Sequence, residues 1–353
     1  MAFHRNHLSA PETVFFEVTS ACTYRCRHCF GSYGRETDAS LSLDEQYRMV
    51  RQLQNMRVFR FIMGGGEPLL SETVDDLVAY AHDRFPFVSL STNGHLADSR
   101  RVERLKNSGL KNVQVSLDGS SSTTHDAIRN FPGAFEKALS AIRRFVDSGF
   151  RVMTSTVITA LNAEEIASVI ELAESLGVAE AKFLPLGITG RGKVNEQLHP
   201  SLDVTRKAAC ELYSRLVDSA GKDEIRGLKI SVNPRLWFKA RPEPAQGAIS
   251  RNWDCEAVRS TLGILQDGTV VPCVPLGKLG VTLGSLRQDA IEDLWLGEKA
   301  MALRSHVNMH HGACAGCELR YACRGGCKAN VMARHGRFGA PFPDEDMAGI
   351  CPQ

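Results

Sequence analysis

Six stretches of the chain are almost continuously apolar: Val14 to Val18, Val58 to Met63, Phe87 to Leu90, Val113 to Leu117, Val152 to Ile158 and Ala181 to Leu186. Runs of this kind, without strict alternation, predict strands covered on both faces, as in a parallel sheet. Between them, apolar residues recur at helical spacing. One such segment opens with Ser42 and Glu45 in capping-box spacing. A second carries Phe135, Ala138, Leu139, Ile142, Phe145 and Val146 on one stripe and stops at Gly149, a residue suited to the left-handed position past a helix end. A third runs from about Glu164 to Leu176 and stops at Gly177; a fourth, Val204 to Val217, puts Ala208, Leu212 and Leu216 on one face. Six strand–helix units in series predict right-handed crossovers and an α/β fold, a partial (β/α)6 TIM-like barrel whose site lies at the carboxyl ends of the strands.

That geometry gives several polar and glycine-rich runs a common address. Cys22, Cys26 and Cys29 follow the first strand, Gly64-Gly65-Gly66-Glu67-Pro68 the second, Ser91-Thr92-Asn93-Gly94 the third and Ser116-Leu117-Asp118-Gly119 the fourth. Taken singly, each glycine run reads as an ordinary strand-ending turn. The cysteines carry more. Three closely spaced thiolates on a loop can hold three irons of a cuboidal cluster and leave the fourth iron without a protein ligand, open for reaction. The competing reading of such spacing is structural zinc.

Composition narrows the class. A chain of 353 residues, 43% hydrophobic, can fill one large domain or two smaller ones. Lys and Arg number 42 against 40 Asp and Glu, so charge points neither to nucleic acid nor to an acidic membrane surface. Met1 to Pro11 has no signal-type apolar segment, and no stretch reaches the roughly 18 apolar residues of a membrane span, so a cytoplasmic enzyme is expected. In a reducing compartment eleven cysteines favour metal ligation over disulfides. Seven of them lie beyond the Pro- and Gly-bearing stretch Arg241 to Ala248: Cys255, Cys273, Cys314, Cys317, Cys323, Cys327 and Cys351. That stretch is the expected boundary between a barrel core over 12–240 and a small cysteine-rich domain over 241–353. Cys210 stands apart from both groups.

The triplet Cys22-x3-Cys26-x2-Cys29, followed in order by Gly64 to Pro68 and Ser116 to Gly119, resembles the radical S-adenosylmethionine (SAM) superfamily. The resemblance implies a SAM-binding [4Fe-4S] cluster on Cys22, Cys26 and Cys29. It further implies a cradle for the methionine amino group at Gly64, Gly65, Gly66 and Glu67, and reductive cleavage of SAM to a 5′-deoxyadenosyl radical that removes a substrate hydrogen. A flavodoxin- or ferredoxin-type protein would supply the electron. By the same resemblance Asn93, Ser116 and Asp118 are candidates for polar SAM contacts and Leu184 for the adenine pocket. His28 either contacts adenine or packs against the cluster, and Arg129 either pairs with the SAM carboxylate or is a solvated helix-entry arginine.

The C-terminal cysteines resemble the SPASM extension of this superfamily, in which such positions carry two auxiliary [4Fe-4S] clusters. A zinc site on Cys314, Cys317, Cys323 and Cys327 is the alternative from spacing alone. The resemblance implies Cys255, Cys273 and Cys327 for the first auxiliary cluster and Cys314, Cys317, Cys323 and Cys351 for the second. Seven thiolates leave one iron of the first auxiliary cluster open. The sulfatase-maturing branch has a further cysteine where this chain has Thr261, and an aspartate base where it has Val274, so that activity is not expected.

Auxiliary clusters imply that an electron leaves the substrate radical. Cys210 leaves a redox-neutral outcome open, as a hydrogen-atom donor on its helix; its other reading is a small packing residue. Val58 to Pro68, Val113 to Gly119 and Ala313 to Lys328 resemble the mycofactocin and pyrroloquinoline quinone maturase branch. The leading expectation is therefore oxidative modification of a ribosomally made precursor peptide. Because the barrel begins near residue 13, a separate leader-binding protein would present that peptide. The alternative substrate is a small polar metabolite such as a sugar, aminocyclitol or nucleoside. An electron-transfer protein without SAM chemistry would need no six-unit barrel and would saturate its irons with four cysteines.

Overall fold

All six apolar runs form strands: β1 (Thr13–Thr19), β2 (Arg60–Gly65), β3 (Phe87–Thr92), β4 (Asn112–Ser116), β5 (Arg151–Ile158) and β6 (Glu180–Pro185). This computed structural model describes residues 8–34, 40–218, 227–233, 236, 255–307 and 326–338. Neighbours from β1 to β6 are hydrogen-bonded in sequence order and parallel, and a seventh strand, β7 (Lys229–Val232), extends the row.

The helices between the strands begin and end where their end signals lie. In α1 (Leu43–Asn55) the Ser42 hydroxyl accepts from the Glu45 amide while the Glu45 carboxylate accepts from the Ser42 amide at 2.8 Å, closing the predicted capping box. Next come α2 (Val74–Ala81), α3 (Ser99–Asn107) and α4 (Ser122–Arg129). Helix α5 (Ala134–Asp147) buries Phe135, Ala138, Leu139, Ile142 and Phe145, and Gly149 beyond it has a φ of 82°. Helix α6 (Ile166–Ser175) is followed by Gly177 at 71°. After the short α7 (Arg191–Val194), α8 (Leu202–Asp218) packs on α6, tied by Arg215 to Glu171.

Two features depart from the sequence reading. The strands are not apolar on both faces. Val14, Phe16, Phe61, Met63, Leu90, Val113, Val115, Val152 and Phe183 point into one helix-covered core, but the other face carries Glu17, Ser91, Gln114, Ser116, Ser155 and Lys182. The alternation was masked because each run is short and its polar members are few. The sheet also does not end with the barrel. Strand β8 (Thr261–Ile264) pairs parallel with β1, matching Thr13 to Thr261 and Phe16 to Ile264, and β9 (Thr269–Val271) and β10 (Gly284–Ser285) continue it antiparallel.

The C-terminal elements are α9 (Val274–Gly277), α10 (Ile291–Leu296), α11 (Glu298–Val307) and α12 (Lys328–His335). Val258, Leu262, Ile264, Val270, Ile291 and Trp295 share the barrel's own core, so the two regions are joined by one sheet and one apolar interior. The proposed boundary stretch, 241–248, lies outside the described residues. No described helix is long and apolar enough to cross a membrane.

Candidate iron–sulfur and SAM site

The loop that leaves β1 is closed on itself and held against the rim. The Cys22 amide donates to the Gly34 carbonyl at 3.1 Å and the Gly34 amide to Ser20 at 3.0 Å. Tyr24 lies against the Phe131 ring at 4.5 Å between centroids, and Tyr24, Cys26 and Ala134 form a small buried cluster against which Cys22 and Cys29 pack. The three predicted ligands therefore gather at one small apolar cluster. Burial pushes the Cys22 thiol up to about 11 and raises Cys26 and Cys29 as well. Desolvated thiols of this kind lose their protons readily only to a bound metal whose charge replaces them, which fits a cluster at this place.

The glycine run is fitted to that loop. A Cβ on Gly66 would stand 1.9 Å from the Ala21 carbonyl oxygen, and one on Gly65, at φ 120°, would stand 2.4 Å from that of Thr19. The Gly66 and Glu67 amides donate to those same two carbonyls at 2.8 and 2.7 Å. Among the described residues a Cβ at Gly64 would meet only Ser91, at 3.7 Å, so this glycine leaves room on the inner face of the sheet. Glu67 is fully buried, and its carboxylate accepts from the Leu69 and Asn93 amides and the Thr92 hydroxyl. Burial raises its carboxyl, those three donors oppose the rise, and the side chain fastens the end of β2 to the end of β3. Asn93 in turn donates to Thr23 at 3.0 Å and reaches the Cys22 sulfur at 3.9 Å.

Asp118, Arg129 and His28 meet beneath the loop. Asp118 is fully buried; its carboxylate accepts from the Val157 amide at 2.8 Å, pairs with Arg129 Nη2 at 2.6 Å and lies 3.4 Å from His28 Nε2. Burial would raise the Asp118 carboxyl, but Arg129 and the two histidines His28 and His125 hold it below its ordinary value. Burial pushes His28 down to about 4, so it is neutral and its 3.4 Å approach to Asp118 is not an ion pair. Arg129 Nη1 reaches the Cys26 sulfur at 3.8 Å.

The guanidinium is therefore buried and not solvated, and two of its nitrogens are engaged within the protein. Among the described residues, its Nε and His28 Nδ1 are buried and meet no hydrogen-bond partner. Two open polar atoms beside three thiols are what a polar cofactor would satisfy, so the residues fit a cluster with SAM. Asp118, expected to touch SAM, acts on the site through Arg129 and His28. Ser116 and Leu184 are half-buried on the inner face at the ends of β4 and β6.

Sequence reasoning missed two sets of residues. The loop after β6 crosses the cysteine loop: Arg191 Nε donates to the Cys26 carbonyl at 2.8 Å, Nη1 to that of Tyr33 at 3.0 Å, and Asn195 to that of Arg27 at 3.0 Å. Only the contacts reveal this, because Arg191 lies 162 positions after Cys29. On β1, Glu17 is buried between the Tyr33 hydroxyl and Lys278, whose Nζ lies 2.7 Å away, and burial pushes its carboxyl up to about 7. A lone carboxylate inside an apolar strand run is the signal that could have found it.

In the C-terminal region Cys255, Cys273 and Cys327 gather around Ala257, Leu276 and Ala329. Cys273 precedes α9 and Cys327 precedes α12, positions where unpaired amides favour a thiolate. Burial raises the Cys255 thiol, the neighbouring Cys327 adds to the rise, and Lys328 opposes it. Cys314, Cys317, Cys323 and Cys351 lie outside the described residues. Ala208, Ala209 and Leu212 of α8 face the core, while Cys210 is exposed on the opposite side of the helix.

Comparison with known proteins agrees with this geometry. The family model described as the radical SAM superfamily matches residues 16–176, and that of the SPASM iron–sulfur cluster-binding domain matches 255–318. The chain is 31% identical over 326 residues to the mycofactocin maturase MftC of Mycobacterium tuberculosis, covering 91% of this chain and 79% of that one. It is 28% identical over 347 residues to the AdoMet-dependent heme synthase of Methanosarcina barkeri, covering 94% and 95%. Among solved structures, SuiB of Streptococcus suis bound to its precursor peptide SuiA superposes with a TM-score of 0.80 at 19% identity, covering 97% of this chain and 76% of that one. The cysteine loop, the glycine run fitted to it and the second cysteine group thus have one explanation: the chain belongs to the radical SAM superfamily and carries its SPASM iron–sulfur domain.

Proposed function

We propose that this enzyme oxidatively modifies a ribosomally made precursor peptide, by decarboxylation or crosslinking, in cofactor or natural-product biosynthesis. The observation that carries this reading is the 31% identity with a mycofactocin maturase across 91% of the chain. A cluster with SAM bound at the rim supplies hydrogen-atom abstraction from an unactivated carbon. Cys22, Cys26 and Cys29 hold three of its irons, and the backbone of Gly64 to Gly66, with Glu67 bracing the turn, receives the methionine end of SAM. Arg129 Nε and His28 Nδ1 offer the remaining polar contacts, with Asn93, Ser116 and Leu184 around them. Cys255, Cys273 and Cys327 hold a first auxiliary cluster with one iron lacking a thiolate; Cys314, Cys317, Cys323 and Cys351 hold a second. The polar inner face of the sheet, from Gly64 across Ser91 and Gln114 to Lys182, receives the substrate.

A second reading is favoured by the identity with a heme synthase over nearly the full length of both chains. In it the substrate is a small molecule and the reaction belongs to heme formation. Anaerobically reconstituted, reduced enzyme with SAM separates the two when incubated with size-separated extract of its host. Release of 5′-deoxyadenosine above the uncoupled background with the peptide fraction supports the first reading. Release with the small-molecule fraction alone overturns it in favour of the second.

A further inference from the structure

The segment after β6 is bonded at both ends to cysteine-bearing structure. On one side lie the Arg191 and Asn195 contacts with the carbonyls of Cys26, Tyr33 and Arg27, and the Arg191 amide donates to the Cys29 carbonyl at 2.9 Å. Gly190, at φ 55°, lets the backbone come this close: a Cβ there would stand 2.3 Å from the Phe30 carbonyl oxygen. On the other side Asn330 of α12 accepts from the Ile188 amide at 3.3 Å, and Lys193 donates to the Ala333 carbonyl at 3.0 Å. The guanidinium of Arg191 is thus fixed by a fork of two hydrogen bonds against the loop that carries Cys26 and Cys29, while Arg129 approaches Cys26 from elsewhere.

We propose that Arg191 is a positioning residue for SAM cleavage: it seats the Cys26 to Cys29 segment and, through its fixed charge, raises the reduction potential of the cluster held there. A cation close to a thiolate-bound cluster favours the reduced, more negative state, and in a site of low effective dielectric one unit charge can shift a one-electron equilibrium by about tenfold. The inference concerns the first cluster only and is independent of the substrate.

The test uses the full chain, anaerobically reconstituted, with the first cluster identified by the change in its reduced paramagnetic spectrum on adding SAM. In Arg191→Met the reduced-to-oxidised ratio of that cluster at fixed potential is expected to fall about tenfold, equivalent to about 59 mV for a one-electron couple. Arg191→Lys, which keeps the charge and loses the fork, is expected to restore most of the ratio while weakening the spectral response to SAM. The proposal is overturned if Arg191→Met loads its iron and keeps the wild-type ratio. It is equally overturned if both variants lose iron and thermal stability alike, since the residue would then serve the fold and not the charge.

Discussion

The two cysteine-bearing regions hold their thiols by different means. Around Cys22, Cys26 and Cys29 the protein supplies charge and fixed backbone: two guanidiniums, a buried carboxylate, and glycines that press β2 into the loop. Around Cys255, Cys273 and Cys327 it supplies helix beginnings and a small apolar cluster of Ala257, Leu276 and Ala329. A cluster that must also bind and orient a charged cofactor needs directed polar groups fixed before the cofactor arrives. One that only accepts or relays an electron needs thiolates and exclusion of water. The first region is accordingly the less tolerant of substitution.

The sharpest way to break this contrast is to remove one thiol from each region. Cys26→Ala is expected to abolish 5′-deoxyadenosine formation, whereas Cys327→Ala should lower iron and sulfide content and leave uncoupled SAM cleavage measurable. Equal loss of SAM cleavage in both would mean that the regions act as one unit. Next comes Gly66→Ala, whose methyl group would overlap the Ala21 carbonyl oxygen at 1.9 Å. The backbone must move, so a loss of several kcal/mol and failure to load the first cluster are expected, read by thermal unfolding and iron analysis.

Asp118→Asn should follow. It leaves Arg129 buried without its counter-charge, which costs about 3–5 kcal/mol and frees the guanidinium to turn from Cys26. Denaturant unfolding gives the stability, and a weakened affinity for SAM would report the displacement.

The smallest effects are those of pH, and they run in opposite directions in two places. His125 is held down to about 4 by burial, below its ordinary 6.5. The unfolded chain therefore binds this proton first, and the stability this histidine confers is lost as pH falls from about 6.5 towards 4. Glu17 is raised from 4.5 to about 7, so the folded chain holds its proton longer; that contribution is present below 4.5 and is lost as pH rises through about 7. Each is worth about 1–3 kcal/mol at most. In Glu17→Gln the decline between pH 5 and 7.5 should flatten, and in His125→Asn the decline below pH 6 should do so. Unchanged profiles would deny these two groups their assigned environments.

Much of the first region was legible in the chain because its signals are local. A cysteine triplet, a glycine run and a capping box each occupy a few consecutive residues, and their order along six strand–helix units placed them on one rim. Strand β8 was illegible because Thr261-Leu262-Gly263-Ile264 is short and contains a glycine, and its partner β1 lies some 250 residues earlier. Arg191 escaped for the same reason: its partners are backbone carbonyls, which carry no sequence signature.

By itself, then, the sequence determined which residues can ligate and where each element starts and stops, since thiolate chemistry, caps and apolar periodicity are properties of neighbouring residues. Tertiary structure alone decided that Asp118 serves Arg129, that Glu67 fastens two strand ends, that Glu17 meets Lys278, and that the C-terminal region continues the barrel sheet. Those pairings join residues from 11 to 261 positions apart in the chain, and their energies come from burial and exclusion of water, which exist only once the sheet has brought them together.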